Sequence, residues 1–159
     1  MKALRVFTIT ICAICIASVA VAADTARVAK VLESQGTVEV KTGSGPWMPA
    51  SVDMELRQGD TIRTQANSFA LLNVDGMAQT ATVEVKQNSK MELAQLVSDK
   101  EAMTQSTLLD LALGEVLIKA KKLHSEKSRF EVKTPTSIVG VRGTTFSVTV
   151  EAEAEGGTE

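Results

Sequence analysis

His124 is the only histidine in the chain, so imidazole-based proton transfer or metal binding would have to run through it. A nucleophile–base pair needs a serine or cysteine in reach and a carboxylate to orient the imidazole, and no motif marks either partner. A zinc site needs three or four nitrogen, sulfur or oxygen ligands, and beyond this histidine only scattered carboxylates remain. His124 therefore reads as a solvated loop residue. Asp53, Glu55 and Asp60 are close enough in sequence to suggest the paired acids of a hydrolase. Asp60, however, follows Gly59 and precedes Thr61-Ile62-Arg63-Thr64, where an aspartate accepts backbone N–H bonds and fixes a turn into a strand. Gly140-Val-Arg-Gly143-Thr-Thr has the glycines and arginine of a phosphate loop but not its Gly-Lys-Ser/Thr ending or following helix. It reads instead as a bend entering a last strand. No catalytic, cofactor-binding or metal-binding residue is expected.

Charge offers a second kind of site. Lys119, Lys121, Lys122, Lys127, Arg129 and Lys133 make one locally basic stretch, relieved by Glu126 and Glu131. Such a patch could meet an anionic wall polymer, lipid headgroups or an acidic protein. Lysines also protect hairpin tips and sheet edges, which is the simpler reading. Tyrosine is absent and Trp47 is the sole tryptophan, so no stacking platform for nucleic acid is expected. Trp47 lies between Gly43-Ser-Gly-Pro46 and Pro49, where it should pack a turn onto the core.

These residues are carried by a chain that opens like an exported one. Lys2 and Arg5 precede an apolar run from Val6 to Val21, closed by Ala20-Val21-Ala22-Ala23. That order of basic start, hydrophobic stretch and small residues makes residues 1–22 a secretory signal peptide, with an N-terminal signal helix. Retention as a membrane anchor is the alternative, since the run nearly spans a bilayer. The remainder, about 136 residues, suffices for one domain with a real core. Cys12 and Cys15 both lie in the leader, so no disulfide is available afterwards. The bulky Ile11 and Ile14 before them argue against lipid attachment. All the acidic residues lie beyond the leader while Lys2 and Arg5 lie within it, leaving a mildly acidic, soluble product. A periplasmic or secreted protein follows, touching a membrane only during export.

Beyond the leader, period-two alternation dominates, the mark of half-buried strands. Val38 and Val40 alternate with Thr37, Glu39 and Lys41; Thr82 to Lys86 repeats those five letters, and Phe130 to Lys133 nearly does. The recurrence suggests one amphipathic strand code reused rather than a true repeat. Phe69 to Val74 runs into Asp75-Gly76, a hairpin dipeptide. Ser89 to Leu93 is a further strand, and Glu92 to Thr104 could hold a turn or two of helix. Leu109, Leu111 and Leu113 alternate until Gly114-Glu115, read as a turn; Val116, Ile118 and Ala120 return on the far side. Phe146, Val148 and Val150 form the last strand. The fold class is therefore all-β, antiparallel, a sandwich or a short irregular β roll over residues 28–150. Residues 151–159 form an acidic flexible tail.

Taken in order, the motifs resemble the FecR domain, known from iron-uptake signalling in Gram-negative bacteria. The matching pieces are Gly36-Thr-Val-Glu-Val, Trp47-Met-Pro-Ala50 and Leu56-Arg-Gln-Gly-Asp-Thr-Ile-Arg-Thr64, which carries Gly59, Asp60 and Thr64. Ser68 to Asp75-Gly76, Ser89-Lys-Met-Glu-Leu93 and Leu111-Ala-Leu-Gly114-Glu-Val116 continue the series. Phe130 to Pro135 and Ile138-Val-Gly-Val-Arg-Gly143-Thr144-Thr-Phe146 close it. The resemblance implies a non-enzymatic, all-β protein-interaction module in which these motif residues are structural. In signalling members the periplasmic domain senses an outer-membrane receptor, and a cytoplasmic segment beyond one membrane helix controls a sigma factor. Five residues before the apolar run leave no room for that segment, so the expectation is an external binding module without it. Its partner would be an unidentified envelope protein, with polysaccharide or peptidoglycan as the alternative.

Overall fold

Alternation of apolar and polar residues becomes thirteen strands in the computed structural model, which describes residues 25–74, 81–120, 127–143 and 145–151. Among these residues there is no helix, and none long and apolar enough to cross a membrane. The first seven strands are β1 (Thr25–Ala26), β2 (Ala29–Gln35), β3 (Val38–Lys41), β4 (Trp47–Pro49), β5 (Glu55–Leu56), β6 (Thr61–Thr64) and β7 (Phe69–Asn73). The rest are β8 (Ala81–Val85), β9 (Lys90–Asp99), β10 (Thr104–Ala120), β11 (Arg129–Lys133), β12 (Ile138–Gly140) and β13 (Thr145–Val150). The signal helix, Asp75, Gly76, Lys121, Lys122, His124, Thr144 and residues 152–159 lie outside the described residues.

Two long ribbons generate the architecture. β2 runs on into β3, and together they pair antiparallel with β7 and β6. β8 runs on into β9, and together they pair antiparallel with the single strand β10. The path β4-β3-β6-β9-β10-β8-β7-β2-β5 joins both ribbons into one sheet, which folds over because each ribbon is bent in its middle. β13 adds antiparallel to the second half of β10, and β1 adds to β9. β11 lies parallel to the first half of β10 and carries β12 on its other side.

The bend encloses one hydrophobic core to which both ribbons contribute. Val31, Val40, Ile62 and Leu72 come from the first; Val83, Met91, Leu93, Leu109, Leu111 and Ile118 come from the second. Each such side chain removed from water is worth about 1.5–3 kcal/mol, and no disulfide is needed to close the sheet.

Two expectations are corrected. Gly114-Glu115 is not a turn: β10 continues through it unbroken over its seventeen residues, bending there without reversing. What resembled a turn is a slip in alternation, because Thr107, Leu109 and Leu111 are buried on one side of Gly114 and Val116 and Ile118 on the other. Glu92 to Thr104 is not helical. It is the end of β9, a turn at 100–103 and the start of β10, and a register shift between Leu108 and Leu109 interrupts its alternation. The fold is all-β and antiparallel as expected, except that β10 and β11 pair in parallel; alternation places a strand's faces but not its neighbour's direction.

Candidate functional site

Gly36, Thr64, Ser68, Ser89 and Gly114, all from the motif pieces, meet at the two ribbon bends, where they hold the backbone. At the second bend Gly114 has a φ of +92° and faces Ser89 across the ribbon. Ser89 Oγ accepts the Glu115 N–H at 2.9 Å and donates to the Gln87 carbonyl at 3.1 Å, while Lys86 N–H donates to Glu115 O at 2.9 Å. The first bend uses the same device. Gly36, at φ +75°, faces Ser68, whose Oγ accepts the Thr37 N–H at 2.8 Å and donates to Ala66 O at 3.1 Å. Gln65 N–H donates to Thr37 O at 3.1 Å, in the role of Lys86. Asn67 and Asn88, just before the serines, share left-handed backbone at φ +54° and +53°, a conformation asparagine tolerates better than most residues.

Thr64 ties one bend to the other. Its Oγ1 donates to Lys86 O and accepts the Ser89 N–H at 3.1 Å, and its own N–H donates to Ser89 O at 2.9 Å. Nearby, the buried Asp60 accepts the Arg57 N–H at 2.8 Å, and its carbonyl takes the Leu93 N–H at 2.9 Å. Gly59 N–H donates to Leu93 O at 2.8 Å. The predicted turn aspartate is thus in place, and its carboxylate is committed to backbone. Asp53 and Glu55 are exposed, with Asp53 paired to Lys30 at 2.7 Å; that pairing holds the lysine charged beyond its ordinary range. The three acids do not converge. Among the described residues, no three His, Cys, Asp or Glu side chains gather to hold a metal ion.

Arg27 escaped the sequence reading. Its guanidinium donates to the carbonyls of Val97 (3.1 Å), Val74 (3.0 Å) and Ser106 (3.0 Å) and to Thr107 Oγ1 (2.6 Å). One cation thereby satisfies carbonyls from three chain segments at the tip of the second ribbon. No motif signals such a role.

Two surfaces among the described residues carry features suited to recognition. On the first, Trp47 on the edge strand β4 is half-buried, and the Arg63 guanidinium lies 4.0 Å from its ring centroid. Arg63 also bonds Glu39 at 2.8 Å, and this hydrogen bond holds the Glu39 carboxyl below the usual carboxylate range. On the second, an open groove of about 510 Å³ is lined by Lys127, Arg129, Glu131 and Arg142. The basic stretch is only partly gathered there. Lys133 is paired to Asp110 at 2.8 Å, which raises its pKa. Lys119 projects from the far half of β10, opposite Thr145. Gly143 takes a left-handed φ of +75° just ahead of β13, and Phe146 packs half-buried against the core.

A family model described as FecR protein matches residues 60–158. No curated protein and no solved structure matches the chain. The matched segment begins at Asp60, yet β2 and β3, ahead of it, are half of the first ribbon and share the same core.

Proposed function

This chain belongs to the FecR protein family, and from that premise we propose that it is a non-catalytic envelope module that binds another envelope protein after export. The family match carries the reading, because FecR domains act in envelope and iron-uptake signalling through partner proteins. The use of the polar side chains supports it. Asp60, Thr64, Ser68 and Ser89 are buried and bonded to backbone, which commits the three hydroxyl protons and one Asp60 carboxylate oxygen to holding the bends and the turn. Strand edges supply what a binding module needs, since an added strand gains main-chain hydrogen bonds at once. Crosslinked affinity capture from envelope extracts tests the proposal: a reproducible protein partner is expected, and a folded bait that recovers none refutes it.

The groove lined by Lys127, Arg129 and Arg142 favours a second reading, a binder of anionic cell-wall polymer. Charge-driven contacts weaken as salt screens them. Retention on peptidoglycan at low salt, lost at high salt, would select this reading; no retention at low salt eliminates it.

A further inference from the structure

We propose that the open edge of β13 pairs antiparallel with β13 of a second copy of this chain. One side of β10 is divided between two neighbours, β11 along Ser106–Asp110 and β13 along Gly114–Lys119. The sheet therefore splits at Leu111 to Leu113. Among the described residues β13 is paired along one edge only. Exposed edges are ordinarily blunted by lysine, proline or a bulge. The run Thr145-Phe-Ser-Val-Thr-Val150 has no lysine or proline, and its register with β10 is unbroken. Alongside lies an open groove of about 670 Å³, lined among others by Leu113, Val139, Phe146 and Val150. Leu113 is 37% exposed, and Ile138 at its margin is 63% exposed, so apolar surface awaits cover where the sheet splits.

Charge identifies the occupant. Arg142 precedes β13 and Glu151 follows it, both exposed, and the sequence continues Ala-Glu-Ala-Glu. Antiparallel self-pairing centred on Ser147 and Val148 sets the Arg142 end of one copy beside the Glu151 end of the other, and symmetry does so twice. Arg142 shares its groove with Lys127 and Arg129, so the acidic end of each chain meets the basic ground of its mate. Parallel pairing would lay acid on acid. The chain's own tail is a poorer occupant, because Gly156-Gly157 and repeated glutamates are weak strand formers.

Sedimentation velocity on the purified protein, over a concentration series at low and high salt, tests this inference. A dimer that dissociates as salt rises is expected. Arg142→Glu or Glu151→Arg alone should weaken self-association tenfold or more, and the double charge swap should restore it. Hydrogen exchange supplies the fold control: amides 145–150 should gain protection with concentration in the wild type but not in Arg142→Glu, while β9 amides stay equally protected in both. A monomer at every concentration, or a dimer indifferent to both reversals, overturns the inference. So does an envelope protein that protects amides 145–150 in place of the second copy. Self-association is read on purified protein and partner capture on extracts, so the failure of one is distinguishable from the failure of the other.

Discussion

Substituting Gly114 by alanine should be among the most damaging single changes in the molecule. A Cβ added there would lie 2.5 Å from Ser89 Cα and 2.6 Å from Ser89 Cβ, with φ at +92°. A non-glycine residue held in that backbone region costs about 1–3 kcal/mol by itself. Relieving the overlap requires the ribbon to open, because Ser89 Cα belongs to the opposing backbone. Opening it breaks the Ser89–Glu115 bond, at about 1 kcal/mol, and disturbs the Thr64–Ser89 pair behind it. The total is on the order of 4 kcal/mol, comparable to the whole stability of a marginal domain. Urea unfolding measures it, and Gly43→Ala is the matched control: Gly43 is also left-handed, at φ +51°, but nothing lies within 4 Å of its added Cβ. That control should lose only about 1 kcal/mol. A rescue arm sharpens the test. At Gly36 the overlap is mainly with the Ser68 side chain, whose Cβ would lie at 2.9 Å, so Ser68→Gly should partly rescue Gly36→Ala. Ser89→Gly should not rescue Gly114→Ala, since the Cα overlap persists. Equal losses at Gly114 and Gly43 would refute the bend mechanism.

The remaining predictions address the clamp, the turn and the charged edge. Arg27→Ala should cost about 3 kcal/mol, because it strips a charged donor from several carbonyls, and hydrogen exchange should show β1 released first. Asp60→Ala should lower the urea midpoint by about 1–2 kcal/mol through loss of the turn-closing bond, with Asp60→Asn milder because it keeps an acceptor. Since Arg63 depresses the Glu39 pKa, that pair's contribution is fully present above the ordinary glutamate range and is lost as pH falls through the lowered value. Arg63→Gln should therefore flatten the acid limb of stability below about pH 5. It should also shift the fluorescence of Trp47, the sole tryptophan.

Much of the fold is legible from alternation alone. Val38 and Val40, Val83 and Val85, and Phe130 and Val132 are buried as their spacing predicts, because one sheet face meets one core. The direction of pairing is not legible, as the parallel β10–β11 contact shows. The Gly114 bend is not legible for a definite reason: a glycine plus a one-residue slip is the same local signal whether the chain reverses or merely kinks. The motif residues Asp60, Thr64 and Gly114 were recognisable, but their common purpose was not. Thr64 meets Ser89, and Ser89 meets Gly114, only after the ribbons fold over. Arg27 was invisible because its acceptors are carbonyls, which every residue possesses.

Whether this protein works by binding is decided most directly inside the envelope. A photoreactive residue placed singly at Met48 on β4, Ile138 on β12 or Thr149 on β13, all exposed, would trap whatever sits on each strand edge. Buried Leu72 serves as the negative position. At least one edge should yield a discrete adduct with another envelope protein, and the buried position none. Adducts at no edge in a folded, correctly exported chain would contradict a binding function.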